Sequence, residues 1–439
     1  MLTPSERPAR PSALAQSLHR HSGPQLRHLH YESLMKPIEP RATFVPPPGR
    51  YRPAQRFALL NLGFRPFYLA GAGFAAIALT VWLLVLAGVP VTGNYLLKLD
   101  PIGWHAHEMV FGFAASIVAG FLLTAVRAWT GMQTTSHRTL AALALLWLTA
   151  RVLVWSGPAV PAALIDSAFL PAVAFALLRV LMKAGNRRNY FLVPVLLTFA
   201  ALNAAFHVLV QTGRADLALR CLYAAAGIVV LLVSVIGARV IPMFTSNAIP
   251  GFVTRRWKLV EWSAAPLTLC ALFADAAAVP SAIVATLAFA ACAIHCARLI
   301  GWRSYKVRGP AILLILHVAY AWMPVGFALL GLSALGFVAH SVAIHAFTAG
   351  VIGGAIISMI TRTARGHTGR PLVADTRDIA SYALVTLGSA LRIVGPLVAP
   401  GHYQMWIWSA GACWIAAFAI YAGAYALPLM RPRADGKPG

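Results

Sequence analysis

About twelve apolar runs of roughly 20 residues divide this chain, each long enough to cross about 30 Å of hydrocarbon as an α-helix. They begin near Phe67, Trp104, His137, Val160, Asn189, Leu217, Leu259, Pro280, Pro310, Leu335, Ile379 and His402. In lipid every backbone N–H and C=O must be satisfied within such a segment, so the runs predict an all-α polytopic membrane protein. With 59% of the 439 residues hydrophobic and a mean hydropathy of +0.72, too little polar surface remains to clothe a soluble domain.

The net charge of +24 raises the question of nucleic acid, but the basic residues follow a simpler pattern. Alternate connections carry Arg127 with Arg138; Lys183, Arg187 and Arg188; Arg255, Arg256 and Lys258; Arg298, Arg303, Lys306 and Arg308; and Arg362, Arg365 and Arg370. The intervening connections carry chiefly Lys98 and Arg214. The positive-inside rule then puts both termini in the cytoplasm, as an even helix count requires, and leaves no role for nucleic acid. Residues 1–65, rich in Pro, Arg and His and without an apolar run, read as a disordered basic cytoplasmic arm. Residues 66–429 read as the twelve-helix membrane domain and 430–439 as a short cytoplasmic tail. His19, His21, His28 and His30 in the arm could hold metal weakly, although attraction to anionic lipid is the simpler account.

Histidine in a membrane span is costly unless it holds something, and several spans here carry one. His105 and His107 enter the second helix from the outside, His207 lies near the outer end of the fifth, and His340 and His345 lie one and two turns below the outer face in the tenth. A shared site in the outer half is the expectation. His317 falls in the inner third of the ninth helix and stands apart. Neutral imidazole suits haem iron and copper, whereas a lone membrane histidine usually links helices by hydrogen bonding. His105 and His107 are about 200° apart on a helix, so one is expected to be a ligand and the other to support it. At i+3 and i+4, Glu108 and Met109 share a face with His105, giving Glu108 a role in proton relay or ligand orientation. Tyr320 shares a face with His317 as a phenolic proton or electron donor.

The remaining polar features have plainer readings. Arg151 and Asp166 fall near the outer ends of adjacent helices and read as a structural ion pair. Arg392, in the outer half of the eleventh helix, is a candidate partner for haem propionates. Pro242, after Arg239, is expected to break the sixth helix. Residues 361–372 read as an Arg/Gly-rich cytoplasmic loop shaped around His367. Trp82, Trp104, Trp129, Trp155 and Trp322 read as interfacial belts. The cysteines read as packing residues, with Cys292, Cys296 and His295 the one grouping that suits a soft metal.

Several stretches together resemble the NnrS family of membrane proteins, associated with bacterial responses to nitric oxide. They are Gly63-Phe64-Arg65-Pro66-Phe67, WHAHEMVFGFAASIVAGFLLTAV from Trp104, Trp129-Thr130-Gly131, RVIPMFT from Arg239, LHVAYAW from Leu316, HAFTAGVIGG from His345 and TRTARGHTGRPL from Thr361. The resemblance implies a twelve-helix protein of the bacterial inner membrane, containing haem, of the b type, and copper, that protects against nitrosative stress. It makes His105, His107, His317 and His345 the leading ligand candidates, with His207 and His340 as further ones and His367 on the wrong side for an outer site. The expected function is a haem-copper protein that binds or turns over nitric oxide, with an electron donor that the sequence does not identify. The alternatives are a transporter, and a binding protein for haem, copper or nitric oxide without turnover.

Overall fold

The computed structural model describes residues 57–91 and 101–437. Among them are twelve helices long and apolar enough to cross a membrane, and no strand. They are α1 (Phe64–Leu86), α2 (Pro101–Thr130), α3 (His137–Ser156), α4 (Ala159–Lys183), α5 (Leu192–Gln211), α6 (Ala215–Ala248), α7 (Lys258–Ala276), α8 (Ser281–Gly301), α9 (Ala311–Ala334), α10 (His340–His367), α11 (Thr376–Val398) and α12 (Tyr403–Met430). Each starts within five residues of its expected place. Glycine and proline set several of the ends: Gly131 closes α2 in the left-handed region at φ 69°, and Pro310 precedes α9.

Sequence neighbours from α3 to α9 pack on one another, α11 packs on α12, and α12 returns to α1. α2 and α10 lie between these pairs. α2 meets α1, α4 and α6, while α10 meets α6, α9, α11 and α12. Of the α2 span 78% is buried, against 28% for α12, so α2 supplies interior and α12 supplies lipid-facing surface.

The flanks of the membrane domain meet at one end. Ala58 N–H donates to the Met430 carbonyl at 2.7 Å, and Arg65 Nη1 donates to the carbonyls of Leu429 and Arg431 at 2.8 Å. At the same end His137 N–H reaches Leu60 O, Arg255 N–H reaches Gly301 O and Ala434 N–H reaches Thr368 O. The basic connections therefore gather on one side of the bundle, as the charge pattern requires. The packed region extends past residues 66 and 429, because Ala58, Leu62, Phe64 and Arg65 are buried. The arm expected over 1–65 lies outside the described residues as far as residue 56, as does Lys98.

Four local expectations change. α6 continues through Pro242 without a break, since flanking helices accommodate the freed carbonyl. Residues 361–367, expected in a loop, are the last turns of α10. α10 begins at His340 rather than near Leu335, which moves His340 to the very end of the helix. Trp82 and Trp104 are buried rather than belted at an interface.

At the basic end Asp375 and Asp378 form a capping box on α11. Buried Asp378 also accepts from Arg365 Nε at 2.7 Å and from the Tyr425 hydroxyl at 2.8 Å. Asp378→Asn keeps the shape and removes the buried one of the two carboxylates that pair with Arg365, the other being the exposed Asp375, so it is expected to cost about 2 kcal/mol. A thermal midpoint in detergent that does not fall would show Arg365 to be adequately solvated without it.

Candidate metal centre

Two of the central helices share an irregularity. In α2 the residues after His107, Glu108–Ala114, form a π-helix, and in α10 those after His345, Ala346–Gly353, do the same. A π segment holds one more residue than the α-helix it replaces and turns everything before it about the axis. Both segments thus set the direction of a histidine just upstream.

His107 points toward α4 and α5. Its Nδ1 lies 2.9 Å from Glu108 Oε1, and its Nε2 lies 3.0 Å from Asn203 Oδ1 and 3.1 Å from Asp166 Oδ2. Asp166 Oδ2 also accepts from His207 Nε2 and Asn203 Nδ2, each at 2.9 Å. Arg151 bridges the two carboxylates, donating to Glu108 at 2.6 Å and to Asp166 Oδ1. All six side chains are buried. One ligand atom each from His107, Asp166 and His207 lie within 4.8 Å of one another, a grouping that could hold a metal ion. The Arg151–Asp166 pair expected from sequence is therefore present as part of a larger network.

His105 points the other way, toward α1, α10 and α11. Its ring stacks on Trp82 with centroids 4.2 Å apart and an interplanar angle of 24°. His345 and Arg392 lie within electrostatic reach of it. His345 Nδ1 donates to the Ser341 carbonyl at 2.6 Å, which fixes the tautomer with Nε2 as the lone-pair nitrogen. Around this group several buried polar atoms have no partner: His105 Nδ1, the Trp82 indole nitrogen and Arg392 Nη1. Arg392 is held by one bond, Nη2 to the Tyr403 hydroxyl at 3.2 Å. Unpaired buried donors are rare in a finished fold and mark where a missing partner belongs.

The remaining candidates are elsewhere. His340 pairs with Asp275, 3.0 and 3.1 Å from its two oxygens, beside the Tyr223 ring. His317 bonds Thr245 at 2.9 Å and Ser304 at 2.8 Å, so hydroxyls occupy both of its nitrogens. Glu108 serves His107 rather than His105, since its carboxylate is bound by His107 Nδ1 and by Arg151 Nη1 of α3. Tyr320 is paired not with His317 but with His295 Nδ1 at 2.9 Å and Arg298 Nη1 at 2.8 Å. His295, committed also to Thr268 at 2.8 Å, is buried away from Cys296, which is exposed. His367 lies tilted against Phe64 at the basic end, with ring centroids 5.5 Å apart, remote from both groups.

Sequence reading missed Asn203 as a site residue, grouped His295 with Cys292 and Cys296 rather than with Tyr320, and saw Asp166 only as an ion-pair partner. Asn203 and His207 are four residues apart on one face of α5, a spacing that could have flagged them.

Comparison with curated proteins gives no match. The family model described as NnrS protein matches residues 58–433, nearly all of the packed region. The chain belongs to the NnrS family.

Proposed function

We propose that this membrane protein of the nitric oxide response carries haem and a second metal, copper in the family expectation, and binds or turns over nitric oxide. The observation that carries the reading is the pair of donor groups at one depth of α2, on opposite faces, each aimed by the same bulged helix. His105 and His345 supply imidazoles, Trp82 a flat apolar wall, and Arg392 a guanidinium with an unpaired N–H suited to a propionate. These residues fit haem. His107, Asp166 and His207 offer two nitrogens and an oxygen, a set that suits a borderline divalent ion, with Glu108 and Asn203 orienting them.

When bound, haem iron supplies a coordination position for a diatomic ligand. The chain buries the donors His107, Asp166 and His207 in its interior, while His105 and His345 are partly buried. In the second group a divalent ion would be held by two imidazole nitrogens and a carboxylate oxygen, donors that protons compete for, so its affinity would fall as the solution is acidified. By the positive-inside rule the basic end faces the cytoplasm and both groups lie in the outer half of an inner-membrane protein. A transporter with paired broken helices is less favoured, since the bulged helices are second and fourth in their six-helix halves rather than equivalent.

The test is purified full-length protein, assayed for iron and copper, with visible spectra before and after nitric oxide. A Soret band that shifts with nitric oxide, and is lost in His345→Ala or His105→Ala, is expected. Colourless protein from cells supplied with haem and copper would overturn the reading. Nitric oxide consumption with an added reductant separates turnover from binding.

A further inference from the structure

Between α2, α6, α9 and α10, toward the basic end, lies a cavity of about 100 Å³ walled by aliphatic side chains, with Tyr68, Phe121 and Tyr320 at its edges. No histidine lines it, so it is separate from both donor groups. Val118, Phe121, Val233, Ile236, Val240 and Met359 in its wall are only partly buried, and the cavity opens through them to the side of the bundle. It is too apolar to hold water, which needs polar partners.

The basic edge of this cavity carries one cation. On α10, Arg362 is one turn beyond the lining residue Met359, and Thr363 lies beside the hydroxyl of Tyr68, another lining residue. On α6, Phe244 is one turn beyond the lining residue Val240. The Arg362 guanidinium sits over the Phe244 ring at 3.9 Å, so both helical stripes that wall the cavity end at this one side chain. None of the ion pairs among the described residues involves Arg362. It lies five residues before the end of α10, about 7.5 Å in depth, where a lipid phosphate meets hydrocarbon. A partly buried arginine with no carboxylate needs an anion, and an apolar groove leading from it into the bilayer needs a chain.

We propose that this groove seats one acyl chain of an anionic phospholipid, with its phosphate on Arg362. The ring of Phe244 holds the guanidinium flat and leaves its N–H edge for a bidentate phosphate contact. The chain lies along Val233, Ile236 and Val240. Phosphatidylglycerol and phosphatidylcholine both offer a phosphate, but the choline cation of phosphatidylcholine offsets its charge, so Arg362 favours the net negative headgroup.

The test uses full-length protein delipidated in detergent and titrated with phosphatidylglycerol or phosphatidylcholine, with bound lipid counted by native mass spectrometry. Wild type is expected to retain one phosphatidylglycerol in preference to phosphatidylcholine. Arg362→Gln should weaken phosphatidylglycerol about fivefold, the effect of one basic residue at a membrane surface, and remove the preference. Val240→Trp, which fills the groove, should reduce retention of both lipids. Arg239→Gln, an exposed arginine of the same end set beside Phe191 rather than the groove, should change neither. Unaltered preference in Arg362→Gln, unaltered retention in Val240→Trp, or an equal loss in Arg239→Gln would each overturn the proposal.

Discussion

Asp166→Ala is expected to destabilise the protein by about 3–5 kcal/mol, the range for removing one partner of a buried charge network. The polar side chains around α2 are satisfied only as a set. Arg151 donates to both Glu108 and Asp166, and His107 has an acceptor oxygen beside each ring nitrogen. Without Asp166, Arg151 loses one of its two carboxylates, and the side chains of Asn203 and His207 lose an acceptor. Buried donors of three side chains are left short of a partner in the interior. Asp166→Asn combined with Arg151→Gln removes one charge of each sign and should recover more than half of the loss. Thermal unfolding of each variant in detergent reads the difference. A midpoint for Asp166→Ala within about 2 °C of wild type would mean that water reaches the network and solvates it.

The helices and their grouping were legible because they rest on composition and charge, which act residue by residue. Runs such as Ala311–Ala334 are long enough to span whatever surrounds them, and the alternation of basic connections needs no knowledge of packing. The angular separation of His105 and His107 was legible for the same reason, since it follows from helix pitch. Which partner a polar side chain takes was not legible. Glu108 shares a face with His105 by i+3 geometry and instead bonds His107 and Arg151, and no sequence rule marked the π segment that follows. Partner choice across helices was hidden too: Tyr320 shares a face with His317 on α9, but its hydroxyl is drawn to His295 and Arg298 of α8. Pro242 misled for a related reason, because the break that a proline imposes in water is repaired when neighbouring helices enclose it.

The π segment of α10 offers a way to separate the two donor groups. Deleting Thr348 from Ala346–Gly353 removes the extra residue and lets the helix close with ordinary α pitch. Residues 340–347 then turn by about 100° and shift by about 1.5 Å relative to the rest of α10. Only this short piece moves, and the connection at residues 335–339 before it can take up the shift. Arg392 and Trp82 keep their places on α11 and α1, and the buried network on α2, α3, α4 and α5 is untouched. His345 is carried away from His105 and Arg392, so haem retention is expected to fall to background, as in His345→Ala. On the proposed reading, a metal bound at His107, Asp166 and His207 should remain at its wild-type stoichiometry. Iron and copper content, the visible spectrum and the elution profile of the deletion variant decide the matter. A folded variant with an unchanged Soret band would mean that the bulge does not aim His345. Parallel loss of both metals from a folded variant would mean that the two groups are a single site.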